Sequence, residues 1–148
     1  MIEVDGHLRL LGPADYNDAM ELYAELSHHA FPLTDRARYE SVLNHEGTTV
    51  WGIEVEGKIV SMATLHMLPS LGNASSHYAL IENVITTKRH QNKGLGASLL
   101  RAVLAYAWDK DAYKVMLLTG KQRDALEFYQ KLGFDEDEKH GLVCRKPA

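Results

Sequence analysis

The sequence predicts an α/β fold in a single domain over residues 1–148, with a twisted mixed sheet, antiparallel N-terminal strands, a parallel pair in the middle and helices on both faces. Two observations support this prediction. Strand-like apolar runs alternate with amphipathic helix patterns along the chain. One helix pattern, at 94–108, lies between apolar runs at 78–86 and 113–119. That order is typical of a crossover connection, which joins parallel strands.

The first half of the chain is predicted to form the antiparallel part of the sheet. Turn residues separate its elements, because Pro13 follows an opening apolar run and Glu56-Gly57 is typical of a tight hairpin turn. The predicted elements are a strand at 3–11, a helix capped by Asp15, a second helix after Thr34, and strands at 48–56 and 58–68.

The second half is predicted to add the parallel pair and the end of the sheet. A strand at 78–86 leads into the helix at 94–108, and a strand rich in Val, Met and Leu follows at 113–119. We then expect a helix at 123–132 that ends at Gly133. The tail from 134 to 145 is predicted to supply the last strands.

Composition limits the partners and the compartment. A chain of 148 residues can bury a core without disulfides or metal. Its single cysteine, Cys144, has no internal partner, and we expect its thiol to be buried. The start shows no secretory pattern and no apolar run reaches the ~20 residues of a membrane helix, so we expect a cytoplasmic protein without a membrane partner. A net charge of −4 argues against a nucleic-acid partner.

The turn before the crossover helix has the chemistry of an anion site. The first amides of a helix lack partners within it, and the helix dipole adds partial positive charge there. Gly94 and Gly96 have no Cβ atoms to obstruct a ligand, and Lys88, Arg89 and Lys93 can pair with phosphates. We therefore predict that a phosphate group binds at this turn. The alternative is a solvated basic loop before an ordinary helix.

Two better-known phosphate motifs do not fit this turn. A dinucleotide fingerprint needs a third glycine three residues after Gly96, where Leu99 stands. A Walker-type loop needs Gly-Lys followed by Ser or Thr, but Ile59 and Gln122 follow the two Gly-Lys pairs of the chain. Neither dinucleotide binding nor nucleotide hydrolysis is predicted.

Two motifs resemble those of the GCN5-related N-acetyltransferase (GNAT) family. The segment Gln91-Asn92-Lys93-Gly94-Leu95-Gly96 matches the family's pyrophosphate loop, Arg/Gln-x-x-Gly-x-Gly/Ala, and follows a strand pattern, ENVIT. Residues 125–134, ALEFYQKLGF, resemble motif B of the family. The resemblance covers 78–134 and departs from the pattern at Asn92, where glycine is usual, and at Gln122, where asparagine is common.

The resemblance implies a GNAT-like fold and an acetyl-CoA-dependent N-acetyltransferase. Its substrate would be a primary amine, preferably of a small molecule, which attacks the thioester directly in a ternary complex without metal. Loop amides would hold the pyrophosphate, strand backbone would hold the pantetheine arm, and an amide near Val84 would bind the acetyl carbonyl. The acetyl-CoA-binding residues so implied are Val84, Ile85, Thr86, Gln91, Asn92, Lys93, Gly94, Leu95, Gly96, Ala97 and Ser98.

Tyr129 and Glu82 are the candidates for proton transfer. Tyr129 matches the motif B tyrosine that acts in many members as general acid near the coenzyme sulfur, and the alternative is core packing. Glu82 interrupts an apolar strand and, by simple alternation, shares a face with Leu80 and Val84, opposite Ile85. Some members carry a glutamate there that draws the amine's proton through water. The alternative is a salt-bridged or solvent-facing residue.

The acceptor amine is the least determined part of the prediction. Phe31, Tyr78 and Asn83 are candidate substrate residues, and Tyr39 is a candidate apolar wall. Histidines such as His66 show no metal-ligand spacing, and ordinary packing or exposure is expected for them. A noncatalytic acetyl-CoA sensor, a regulatory module for another phosphorylated metabolite and a protein or peptide N-acetyltransferase remain alternatives. The sequence also leaves open a homodimer.

Overall fold

The computed structural model describes residues 5–27, 35–72 and 74–148, and the chain forms two compact units, Met1–Leu117 and Leu118–Ala148. Three short 3-10 turns lie at Pro13–Asp15, Lys88–His90 and Lys121–Arg123. The strands and helices in chain order are β1 (His7–Leu10), α1 (Tyr16–Leu26), α2 (Arg36–Leu43), β2 (Thr48–Val55), β3 (Lys58–Pro69), β4 (His77–Thr86), α3 (Leu95–Asp109), β5 (Ala112–Met116) and α4 (Leu126–Gln130).

The sheet lies in the first unit and has the order β1-β2-β3-β4-β5. The first four strands pair antiparallel, and β5 pairs parallel to β4 after the crossover through α3. The predicted mixed sheet is therefore confirmed. The predicted hairpin turn is confirmed as well, because Glu56 and Gly57 between β2 and β3 have φ angles of 51° and 80°.

Helices cover both faces of this sheet, as predicted. Every residue from Ile59 to Leu65 in β3 is buried, although successive side chains in a strand point to opposite faces. On β2, Val50 joins the cluster under α1, whereas the next residue, Trp51, stacks edge to face on Tyr106 of α3 with ring centroids 5.1 Å apart. The cluster under α1 and α2 consists of Leu11, Ala19, Leu22, Tyr39, Val50, Ile59 and Met62.

An ion-pair network ties β1 to the start of α1. The guanidinium of Arg9 donates to both carboxylate oxygens of Asp15 at 2.8 Å each and to Glu54 at 2.9 Å. The amide of Gly12 also donates to Asp15 at 2.8 Å. The hydrogen bonds from Arg9 hold the pKa of Asp15 below its usual value, against the opposite effect of burial. The network therefore stabilises the ionised carboxylate.

This network makes the stability of the fold depend on pH. Because the folded pKa of Asp15 lies below the unfolded one, its contribution is complete above about pH 4 and is lost as the pH falls through the folded pKa. Asp15→Asn should lower the free energy of unfolding by about 1.5–3 kcal/mol at pH 7 and much less at pH 2. Urea unfolding at both pH values measures this, with the exposed Asp5→Asn as control. An equal loss at both pH values would contradict the assignment.

The C-terminal unit departs from the prediction in two ways. The helix predicted at 123–132 is limited to α4, because Asp124 adopts a left-handed φ of 48° and interrupts it, while Gly133, with φ of 99°, ends the helical region as expected. The predicted tail strands do not form among the described residues 134–145.

The composition of the tail explains the missing strands. Its first part, residues 135–139, is a charged run, and its apolar residues Leu142 and Val143 are 88% and 60% exposed, so it buries no apolar face against a sheet. Cys144, expected to be buried, is exposed. Elsewhere in the described ranges, no helix has both the length and the apolar character needed to cross a bilayer.

Candidate active site

The predicted phosphate loop forms an open bend between β4 and α3. Gly94 is the N-cap of α3 and has φ of 80°, in the left-handed region that glycine adopts without strain. A Cβ on Gly94 would meet no heavy atom within 4 Å beyond its own residue, its two chain neighbours and the backbone of its own helix. The Gln91 side-chain amide donates to the carbonyl of Thr86 at 2.9 Å and thereby fixes the start of the loop. The glycine side of the bend is open.

The backbone amides of this bend are free to bind a ligand. From Asn92 to Ala97, no amide has a hydrogen-bond acceptor among the residues that the structure describes. The next amide, that of Ser98, donates to the carbonyl of Gly94 at 3.0 Å and closes the first helical turn. The side chains of Lys88 and Lys93 are exposed beside them. Converging amides and nearby cations can bind a diphosphate.

The strand before the loop offers a second set of free backbone groups. The parallel pairing of β4 with β5 ends at Leu80, which lies opposite Met116. In the described part of the chain, no strand pairs with that edge of β4 from Ile81 to Thr86. An extended ligand can hydrogen-bond to such an edge as an added strand would. The stretch includes Val84, Ile85 and Thr86, which the family resemblance assigns to the pantetheine arm.

A β-bulge at Asn83 corrects the predicted face of Ile85 relative to Glu82, while Glu82 shares a face with Leu80 as predicted. Asn83 has φ of 55°, and the pairs Thr64–Glu82 and Met62–Ile85 show one extra residue on β4. Simple alternation places Glu82 and Ile85 on opposite faces, but the extra residue places both on the same face. The signal was present in the sequence, because asparagine is rare within strands and tolerates the left-handed region.

Two predicted site residues lie on one face of β4. Tyr78 and Glu82 alternate with Ala79 and Ile81, which are buried on the other face. The carboxylate of Glu82 is exposed, and Tyr78 is half-buried with the ammonium of Lys114 5.7 Å from its ring centroid. One face of β4 therefore carries both an exposed carboxylate, that of Glu82, and a half-buried aromatic ring, that of Tyr78.

Tyr129 lies in α4, within the C-terminal unit. Its ring makes edge-to-face contacts with Phe128 and Phe134, with centroids 5.1 and 5.9 Å away. Burial raises the pKa of the Tyr129 hydroxyl, against the opposite effect of the nearby charge of Arg123. The hydroxyl therefore stays protonated at neutral pH, as both a general acid and a packed aromatic residue would be.

The other residues predicted to line the binding site for the acceptor amine differ in where the structure places them. Phe31 lies outside the described residues. Tyr39 is 5% exposed in the core, and its hydroxyl donates to the carbonyl of Gly12 at 2.7 Å, so it cannot form a pocket wall. Asn83 contributes the bulge described above. Among the described residues, no group of three or more His, Cys, Asp or Glu side chains could hold a metal ion.

Comparison with known proteins identifies the family. The model of the acetyltransferase (GNAT) family matches residues 15–134. Over 92% of its length the chain is 30% identical to 93% of glucosamine 6-phosphate N-acetyltransferase from Trypanosoma brucei brucei.

Solved structures of acetyltransferases agree with this match. A protein of Agrobacterium tumefaciens str. C58 assigned as an acetyltransferase shares 34% identity at a TM-score of 0.87, over 95% of this chain and 99% of that one. An aminoglycoside acetyltransferase from an uncultured soil metagenomic sample shares the fold at 21% identity and a TM-score of 0.83, with coverage of 99% and 100%. The chain belongs to the GNAT family and is an N-acetyltransferase.

Proposed function

We propose that this N-acetyltransferase uses acetyl-CoA and acetylates the primary amine of a small molecule by direct attack in a ternary complex. The observation that carries the proposal is the run of free amides from Asn92 to Ala97, open at Gly94, directly after the unpaired edge of β4. We further propose that the whole chain works as one acetyltransferase domain, since the family match at 15–134 includes parts of both units.

The backbone of the first unit would bind the coenzyme. Amides between Gln91 and Ser98 would bind the pyrophosphate, and the β4 edge from Val84 to Thr86 would align the pantetheine arm. The acetyl group that acetyl-CoA supplies would place its carbonyl oxygen on an amide near Val84. One well-aimed donor to the negative charge that develops on this oxygen contributes about 2.7–4 kcal/mol of transition-state stabilisation.

Two side chains would manage the protons. Glu82 would take the proton from the incoming ammonium group through water, because an amine attacks only with a free lone pair. Tyr129 would protonate the departing thiolate. Its hydroxyl carries the proton at neutral pH, as a general acid must, because burial holds the pKa of Tyr129 above its usual value.

A phosphorylated amino sugar is our first candidate substrate. The support is the Trypanosoma brucei brucei relative, which matches almost end to end and acts on glucosamine 6-phosphate. The exposed carboxylate of Glu82 supports a cationic acceptor group of any small amine.

Two measurements test the proposed function in sequence. Thermal or urea unfolding with acetyl-CoA at 100 times Kd should show about 2.7 kcal/mol of added stability. Coenzyme-thiol release should then appear with a panel of small amines that includes glucosamine 6-phosphate and an aminoglycoside, and not with peptides. Absence of stabilisation would overturn the coenzyme assignment. Stabilisation without thiol release would indicate a sensor, and release with peptides alone would indicate a protein N-acetyltransferase.

A further inference from the structure

A series of hydrogen bonds links two histidines through one threonine at the start of β2. The hydroxyl of Thr48 lies 2.9 Å from Nδ1 of His45 and 2.8 Å from Nδ1 of His66. Thr48 and His66 are directly opposite each other on β2 and β3. Thr48 is only 7% exposed, His66 is half-buried and His45 is exposed. These hydrogen bonds therefore run from the half-buried His66 through the buried Thr48 to the solvent-exposed His45.

The single proton of the Thr48 hydroxyl couples the tautomers of the two rings. A hydroxyl donates one hydrogen bond and can accept two, so at most one of the two Nδ1 atoms accepts from Thr48 and at least one donates to it. If the hydroxyl donates to the exposed His45, it must accept from Nδ1–H of His66. In this arrangement of hydrogen bonds, His66 carries its proton on Nδ1, so its Nε2 is unprotonated and can accept a proton.

His66 lies beside Glu82. Thr64 pairs with Glu82 and His66 with Leu80, so His66 and Glu82 are diagonal neighbours on the same face. Burial lowers the pKa of His66, the charge of Glu82 opposes this effect, and the charge of His45 adds to it. His66 is therefore neutral at pH 7. An ammonium group above this face would meet two acceptors, a carboxylate and an imidazole nitrogen.

We propose that His66 is a second acceptor for the amine's proton, working beside Glu82, and that Thr48 and His45 are positioning residues that hold its Nε2 unprotonated. This inference rests on the proposed function. The ammonium nitrogen keeps the electron pair of the N–H bond that breaks, and the proton forms a new N–H bond at Nε2 of His66, directly or by way of Glu82. The resulting imidazolium donates from Nδ1 to Thr48 and later releases the Nε2 proton to water.

A static cross-strand tie is the competing explanation, and two matched variants separate it from the proposal. His66→Asn places an amide nitrogen near the position of Nδ1, so it can keep the hydrogen bond to Thr48 while it removes Nε2. Thr48→Val keeps the branched shape of Thr48 and removes only the hydroxyl, whereas Thr48→Ser keeps the hydroxyl and removes a methyl group.

The kinetic test compares kcat/KM for the amine across pH 5.5–9. We expect His66→Asn to lower kcat/KM at neutral pH by about tenfold, because general base catalysis contributes 10²–10⁴-fold and is shared here with Glu82. Thr48→Val should lower it by a smaller factor, because part of His66 keeps the reactive tautomer. In the wild type, protonation of His66 at acid pH should lower the rate, and this fall should be absent in His66→Asn. Thr48→Ser should recover most of the loss, and the KM for acetyl-CoA should not change. Wild-type rates and pH profiles in both His66→Asn and Thr48→Val would overturn the proposal.

Ring nitrogen chemical shifts in the free protein test the positioning step without any turnover. We expect His66 in the Nδ1–H tautomer in the wild type and in Thr48→Ser, and a tautomer mixture in Thr48→Val. His66 in the Nε2–H tautomer would overturn the proposal even if the enzyme is active. If instead no amine supports thiol release while the expected tautomer is present, the proposed function fails and the positioning of His66 stands.

Discussion

Gly94→Val is expected to reduce affinity for acetyl-CoA at least 100-fold while the protein remains folded. Valine is strained at φ of 80°, and its methyl groups would project into the open side of the bend, where the pyrophosphate is proposed to lie. A 100-fold loss corresponds to about 2.7 kcal/mol of binding energy, which is less than the sum of several hydrogen bonds to a charged group. Isothermal calorimetry measures the affinity.

Gly57→Val is a matched control for the backbone strain. Gly57 also has φ of 80° with no neighbour within 4 Å of a built Cβ, but it lies in the hairpin turn between β2 and β3. Both variants should lose a similar free energy of unfolding, and only Gly94→Val should lose coenzyme affinity. Equal affinities for acetyl-CoA in the two variants would show that the loop at 91–96 does not bind the coenzyme.

Tyr129→Phe is expected to lower kcat by about 10²–10³-fold with little change in the KM for acetyl-CoA. The variant keeps the aromatic packing on Phe128 and Phe134 and removes only the hydroxyl proton. A group that acts on the leaving thiolate stabilises the transition state rather than the bound substrate, and general acids contribute about 10²–10⁴-fold. Steady-state kinetics with saturating amine measure both parameters.

The pH dependence and a second tyrosine complete this test. Because burial raises the pKa of Tyr129, its wild-type rate should not fall until the pH exceeds the usual tyrosine value near 10, and the variant should lack that fall. The exposed Tyr113→Phe is the control for loss of a phenol elsewhere on the chain. Normal turnover in Tyr129→Phe would leave Tyr129 as a packing residue.

The parts of the fold predicted correctly depend on local signals. The turn at Glu56-Gly57 contains a glycine that adopts the left-handed backbone the turn requires, and the apolar run that follows it is typical of a strand bounded by turn residues. The tail strands were predicted from position in the chain alone, and a strand also needs a partner and an apolar face. The early break at Asp124 depends on one dihedral angle that its residue type permits but does not require.

The same distinction holds for the candidate site. The glycine spacing of 91–96 correctly predicted an open bend at a helix start, because backbone conformation there follows from residue type. Asn83 is a sequence signal for a bulge, but the face that Ile85 shares with Glu82 is established only by the register of β4 against β3. The contact between Thr48 and His66 likewise arises from pairing across 18 residues of sequence.

The bulge at Asn83 allows the shape of β4 to be changed without moving its flanking side chains to the other face of the sheet. Glu82 and Ile85 already share a face, as they would in a regular strand shortened by one residue, so deletion of Asn83 leaves every flanking side chain on its present side. What the deletion removes is the local bend and the added twist that a bulge gives to a strand. The rate of acetyl transfer in a variant that lacks Asn83 would therefore measure how much the curvature of the β4 backbone contributes to catalysis.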